Sequence, residues 1–394
     1  MTGERAPGPG GAVAARLWRR GGPDRVAGLD LARGLAVLGM FGAHLGTSDR
    51  LAADPVTWPA IVHGRPSILF ATLAGVSIAL LSGGGIPATG EALVRARTRI
   101  LVRAAWIFAI GGLLELLDTR VAIILGVYAV LFVLATPFLR WPVSRLLALA
   151  AGIAVAGPPL DLLLGQVATE GGNADDPFAD LVITGVYPAL LWWAYVLAGL
   201  AVGRSDVRAG RVRVWLVGAG TGAAVLGYGG GWLTTRAVAD GRPSAGPEEG
   251  FGAGVGEWDP AWFTGAAPHS GTTFEMVGST GVAVAVIGLC LLLAGRLPVL
   301  TAPLAAVGAL ALSVYTGHVV ALWLVRMLDP AAGGGPGTWL AFAGYAVLAA
   351  TIWRIVLGQG PLERLLTWSS RRTAALPSGP ADHGPSGDGR GGPP

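Results

Sequence analysis

Four of the five histidines in this sequence, His44, His63, His269 and His318, lie in or beside long apolar runs, and Glu275 follows His269 by six residues. An imidazole titrates near neutrality, so it can take a proton from a hydroxyl or an amine, or carry an acyl group as a nucleophile. A carboxylate at Glu275 can orient such an imidazole, although it also suits a helix start, where the macrodipole favours it. A histidine inside an apolar bundle is equally at home as a hydrogen-bonded core residue, so residue type alone makes these four candidates and no more. No two of them are spaced i,i+4 on one run, and the single cysteine, Cys290, lies within an apolar run. Neither a metal site nor an intrachain disulfide is expected.

A second set is cationic. Asp30 and Arg33 stand three residues apart at the start of the first apolar run, and Arg97, Arg99 and Arg103 lead into the third. Guanidinium forks grip phosphate oxygens, so these residues can form a pocket for a phosphorylated donor. Arg33 and Arg103 run straight into apolar sequence, where a charge needs a carboxylate or an anion beside it. For Arg97 and Arg99, marking one side of a membrane is a sufficient explanation. The sequence holds no Gly-rich phosphate loop of the Walker or dinucleotide type.

The elements that must position these groups follow from composition. The 394 residues are 53% hydrophobic and 13% charged, with a mean hydropathy of +0.59. That is too little charge to cover a water-facing surface. All 28 basic side chains counted as Lys or Arg are arginines. The basic pI of 9.7 would suggest nucleic acid in a soluble protein, but the arginines cluster between apolar runs, as membrane topology requires. Nucleic-acid binding is rejected.

Apolar runs at 29–46, 67–84, 100–117, 120–139, 143–165, 182–203, 212–232, 276–295, 299–325 and 338–358 are each near the length a helix needs to cross hydrocarbon. The fold class expected is all-α, a polytopic transmembrane bundle of about ten helices. Gly157, Pro158, Pro159 and Asp161 interrupt the fifth run, and the ninth is long enough to be kinked or split. Small residues from Val217 to Gly231 suit close helix packing.

Arginine clusters stand before the first run (Arg16 to Arg25) and after the second (Arg95 to Arg103), fourth (Arg140, Arg145), sixth (Arg204 to Arg213) and last (Arg364 to Arg372). All fall on one side of a ten-span bundle. The other side receives the acidic segments 47–66, 166–180 and 234–275, the last with Trp258 and Trp262 for the interface. Under the positive-inside rule both ends are cytoplasmic, and all four histidines fall in the outer half. Residues 1–27 are then a basic cytoplasmic segment without the apolar h-region of a signal peptide. Residues 28–372 are the multi-pass domain. Residues 373–394, rich in Pro, Gly and Ser and carrying the fifth histidine, His383, cannot bury enough surface to order and are expected to be a disordered cytoplasmic tail.

The segment Asp30-Leu-Ala-Arg33-Gly34-Leu-Ala-Val-Leu-Gly39-Met40 with His44, followed by Ser67-Ile-Leu-Phe70-Ala-Thr-Leu-Ala-Gly75-Val-Ser, resembles bacterial relatives of the heparan-α-glucosaminide N-acetyltransferase family. Pro268-His269-Ser270-Gly271-Thr272-Thr273-Phe274-Glu275 and Ala311-Leu312-Ser313-Val314-Tyr315-Thr316-Gly317-His318 are similar to later segments of the same group. The resemblance implies transmembrane acetylation, with cytosolic acetyl-CoA as donor and an outward-facing histidine at the reactive centre. The family's histidine precedes the second helix, which matches His63, with His44 and His269 as rivals.

The leading expectation is therefore an acetyltransferase in a bacterial inner membrane. Asp30, Arg33, Arg97, Arg99 and Arg103 would hold the donor inside. His63, with His269, Glu275, His44 and His318, would serve catalysis outside, where Arg65 and Tyr315 would hold a glycan or small-molecule acceptor. Beyond the lipid bilayer and that acceptor, a homo-oligomer is compatible with the sequence. The alternative from a different class is a transporter or flippase for a lipid-linked or small polar solute, which an interrupted helix would suit. A third is a membrane subunit with no site, its histidines scattered around the bundle.

Overall fold

The structure, a computed structural model, describes residues 25–45, 62–119, 121–172, 176–238, 260–329 and 332–375. The basic segment before residue 25, the tail after residue 375, His383 and Trp258 lie outside the described residues, as does most of segment 47–66. Every described element is helical. The chain runs through α1 (Ala27–His44), α2 (Arg65–Leu81), α3 (Gly90–Glu115), α4 (Leu125–Ala135) and α5 (Val143–Glu170). A short turn, Pro177–Ala179, then continues into a π-helical turn, Asp180–Thr184. The remainder is α6 (Ala189–Arg204), α7 (Gly210–Val238), α8 (Thr273–Arg296), α9 (Pro298–Ala309), α10 (Ala311–Leu328), α11 (Pro336–Val356) and α12 (Pro361–Thr373).

Each of the ten apolar runs is largely helical over its described residues, yet fewer than ten helices qualify as spans by length and composition. Four do, α5, α8, α10 and α11, and the turns at Pro177–Thr184 with α6, bent by 53°, would make a fifth. The other helices fall short for local reasons. α1 contains Asp30 and Arg33, and α3 contains Arg95, Arg97, Arg99 and Arg103. α2, α9 and α4 with its following 3-10 turn are apolar but short.

Of the two interruptions expected, one is corrected and one is found. Gly157, Pro158 and Pro159 do not break the fifth run, because α5 continues through them to Glu170. Neighbouring helices compensate the hydrogen bonds that interior prolines forgo. The ninth run does split, at Leu310, whose N–H turns back to the Val307 carbonyl at 3.0 Å. The N–H groups freed at the start of α10 are taken by Glu363 of α12, which accepts from Leu312 N at 2.9 Å, Ser313 N at 3.1 Å and Ser313 Oγ at 2.6 Å.

Close helix packing rests on glycine. α2 packs on α6, α7 on α8, and α1 on α9. At Gly199 a Cβ would stand 1.9 Å from the Thr72 carbonyl oxygen, at Gly308 1.8 Å from that of Asp30, and at Gly227 2.2 Å from the Gly278 nitrogen. No side chain fits at such separations, so the backbones meet directly. The core centres on α2, α4 and α6, with Ile68, Leu131, Leu197 and Leu200 fully buried. α10 and α11 lie at the periphery, and only Ala350 and Arg354 of α11 are buried.

Candidate functional site

One end of the bundle holds an arginine-lined cavity of about 440 Å³ between α1, α2, α3, α4, α10 and α12. Asp30, in the first turn of α1, is buried. Its carboxylate accepts from Arg33 Nη1 at 2.8 Å, from Arg25 Nη2 at 3.1 Å and from Arg25 Nε. Arg33 Nη2 also donates to Ser77 Oγ on α2 at 3.1 Å. Arg103 and Arg371 complete the cationic wall, and Arg103 Nε is buried without a hydrogen-bond partner among the described residues. Four arginines thus face two carboxylates, and one of these, Glu363, is already committed to capping α10. A cation with donors to spare in a cavity of this size fits a phosphorylated ligand.

The structure brings together three of the five residues expected to hold the donor. Asp30, Arg33 and Arg103 line the cavity, whereas Arg97 and Arg99 do not. Arg97 is exposed on the far face of α3. Arg99, one turn before Arg103, is half-buried outside the lining.

The opposite end holds the histidines, in two pairs. His63 lies just before α2, beside His269. The ring of His269 meets the edge of Tyr187 at 5.5 Å and stacks near Trp192 at 6.5 Å. Burial lowers the pKa of His269 to about 4, with the charge of His63 adding to the effect. The imidazole is therefore neutral, and its buried Nδ1 has no hydrogen-bond partner among the described residues. A neutral imidazole keeps a lone pair on one ring nitrogen, the requirement for a base or a nucleophile. His269 also has φ +60°, a left-handed conformation that a non-glycine residue adopts only when its surroundings impose it.

Glu275 imposes it. Its carboxylate accepts the His269 N–H at 2.7 Å and the Gly271 N–H at 2.8 Å, while the Thr272 hydroxyl caps α8 by accepting the Glu275 N–H at 3.1 Å. Glu275 thus holds the loop backbone and not the imidazole. Arg65 opens α2 next to His63 and donates to Tyr228 Oη at 3.0 Å, with its guanidinium 5.1 Å from that ring's centre.

In the second pair, His44 Nδ1 is 3.4 Å from His318 Nε2. His318 stacks on Phe41 at 3.7 Å, and Tyr315 lies edge-on to His44 at 6.3 Å. The segment before α2 joins the two pairs, because Val62 packs on Gly42 of α1 and Gly64 on His269.

The arginine cavity and the histidines are linked through α2, although the cavity lining includes no histidine. Tyr128, on the cavity wall, donates to the Ser67 carbonyl at 2.9 Å. Ser67 Oγ in turn donates to the carbonyl of Gly64 at 2.7 Å, the residue after His63. The wall therefore bonds directly to the first turn of the helix that carries the outer site.

Tyr128, Ser77, Glu363, Tyr187 and Trp192 were not singled out by residue type or spacing, and Arg371 only as a mark of sidedness. The Arg371 and Glu363 of α12 were detectable from its amphipathic spacing, with Leu362, Leu365 and Leu366 on one face. Tyr187 and Trp192 carried no signal beyond a general aromatic content. Among the described residues no three metal-binding side chains gather.

The family model described as heparan-alpha-glucosaminide N-acetyltransferase, catalytic, matches residues 25–228, just over half of the chain. The match takes in Asp30, Arg33, Arg103, His44 and His63. No curated protein matches the chain.

Proposed function

Because this chain belongs to the heparan-α-glucosaminide N-acetyltransferase family, as an all-helical multi-pass membrane protein, we propose that it moves an acetyl group from acetyl-CoA on the arginine side to an amine or hydroxyl acceptor on the histidine side. The observation that carries this reading is the pairing of Arg33 and Arg103 in one cavity whose wall residue Tyr128 bonds to the start of α2. Arg33 and Arg103 bind the donor's phosphates. His63 or His269 accepts the acceptor's proton as its nitrogen or oxygen bonds to the acyl carbon. The carbon–sulfur bond then breaks, and coenzyme A leaves as the thiolate, which takes up a proton from water on the arginine side. Arg65 and Tyr315 position the acceptor, a glycan or a small molecule.

The same proposal includes ten membrane crossings with both ends in the cytoplasm, a bacterial inner membrane, and the division at residues 27 and 373. The arginine alternation along the sequence supports the sidedness. The proposal also includes assembly of the chain with a further copy of itself, which cross-linking in vesicles tests.

The test uses radiolabelled acetyl-CoA supplied to sealed vesicles, comparing wild type with H63A, H269A and R33A. Label passing to an acceptor or to the protein, lost in the variants, is the expected result. No label transferred by the wild type, with solute uptake present, overturns the reading in favour of transport. The bent turn before α6 and the break at Leu310 are the observations that favour that second reading, since transporters bind at broken helices.

A further inference from the structure

The last described helix, α12, has two faces with different surroundings. Its inner face lines the arginine cavity with Glu363, Leu366, Thr367 and Arg371, and it packs across α3 and α10. Its outer face carries Arg364, Trp368 and Arg372, spaced i, i+4, i+8, so the three side chains form one row along the helix. All three are exposed, Trp368 to 60%.

This helix cannot cross a membrane, since its 13 residues rise only about 20 Å. It nevertheless starts where a lipid-facing helix ends. α11 is apolar and long enough to span, is buried only at Ala350 and Arg354, and stops at Val356, five residues before Pro361. Arg364 donates to the Leu357 carbonyl, and Trp353 Nε1 to that of Gln359 at 3.1 Å. These bonds tie the start of α12 to the end of α11 and hold the outer row at headgroup depth.

The row also lacks an internal counter-ion. α12 has three arginines and one carboxylate, Glu363, which is committed to the start of α10. Among the described residues none of the three arginines pairs with a carboxylate. Arg372 instead lies over Trp368, 5.5 Å from the ring centre. An indole flanked by guanidinium groups suits the headgroup layer, where the ring meets the hydrocarbon boundary and the cations meet phosphate. A zwitterionic surface brings a cation with each phosphate, whereas an anionic one supplies the net charge that the row lacks.

We propose that the outer face of α12 docks on an anionic lipid leaflet through Arg364, Trp368 and Arg372. Because the opposite face of the same helix walls the cavity, docking also seats that wall. The docking stands without the acetyl-transfer reading above, whereas its effect on acetyl-CoA rests on it.

The full chain is placed in phosphatidylcholine vesicles holding a trace of phosphatidylglycerol with a diazirine on its headgroup, and the adducts are mapped. Adducts are expected on α12, competed by unlabelled phosphatidylglycerol but not by phosphatidylcholine or water-soluble glycerol phosphate. R372Q, which breaks no hydrogen bond, is expected to reduce them about fivefold, the effect of one basic residue near a charged surface. R364Q/R372Q is expected to reduce them further, and R364K/R372K, which keeps the charge, to retain them. Adducts insensitive to R372Q and R364Q/R372Q, equal adducts from a phosphatidylcholine diazirine, or displacement by glycerol phosphate overturn the docking.

A parallel assay measures KM for acetyl-CoA at one phosphatidylglycerol content, where the leaflet repels the donor equally for every variant. R364Q/R372Q is expected to raise KM severalfold over wild type, a difference that disappears in phosphatidylcholine. Equal KM in both membranes overturns the link to the cavity. Competed adducts on α12 without any acetyl transfer by the wild type support the docking and overturn the transferase reading.

Discussion

The backbone N–H of His269 donates to Glu275 Oε1 at 2.7 Å, so the carboxylate fixes the conformation of the loop that presents the imidazole. Replacing Glu275 with alanine leaves the His269 and Gly271 N–H groups without their acceptor and frees the left-handed residue to relax. Each buried N–H left without an acceptor costs about 1–3 kcal/mol. E275A is expected to lower acetyl transfer at least as far as H269A does, and to expose the 265–272 loop to protease. Unchanged proteolysis with reduced transfer would point to direct proton chemistry by Glu275 instead.

His269 makes the pH dependence testable. Its folded pKa is lowered from 6.5 to about 4, so an unfolded chain takes up this proton before the folded one does. Stability from this group is therefore complete above pH 6.5 and is lost as pH falls toward 4. Thermal melts of wild type and H269Q across that window should differ in slope, the variant losing less stability on acidification. Parallel melting curves would show that His269 is not held neutral.

Arg33 and Arg97 separate donor binding from topology. R33Q removes a cavity donor that also bonds Asp30 and Ser77, and should raise KM for acetyl-CoA by about tenfold or more, from the loss of a charged hydrogen bond. R97Q alters an exposed face outside the cavity and should leave KM within about twofold, in line with ordinary surface substitutions. Steady-state kinetics in detergent or vesicles measure both, and equal effects would count against the cavity as the donor site.

Arg204 is a structural clamp. It donates to the carbonyls of Ala79 at 3.1 Å, Gly84 at 2.6 Å and Leu139, and to Ser82 Oγ at 2.8 Å. It thereby ties the ends of α2, α4 and α6. R204A removes these bonds, although the Ala79 carbonyl keeps the N–H groups of Ser82 and Gly84, and should cost about 1–3 kcal/mol, read as a fall in melting temperature without a change in KM for the donor. A melting temperature equal to wild type would remove the clamp.

The apolar runs determined the helices, because a backbone in hydrocarbon must satisfy itself and has no alternative locally. Periodicity could not decide which helices are long enough to cross. That depends on where the charges of α1 and α3 sit and where α9 gives way to α10. The prolines of α5 show the same limit, since proline marks a break in sequence, but neighbouring helices hold the helix together through it.

At the site, residue type and spacing were enough to single out Asp30, Arg33 and Arg103 and the four histidines. The motif around Arg33 was enough to point to the family. What the sequence could not contain was proximity. Glu363 reaches Ser313 across 50 residues, and His44 reaches His318 across 274. Such contacts arise because glycine-lined helices pack backbone to backbone, and the resulting tilts decide which side chains meet. For the same reason Glu275 ended on the backbone of His269 and Arg97 on an outer face, a distinction that only the packed bundle makes.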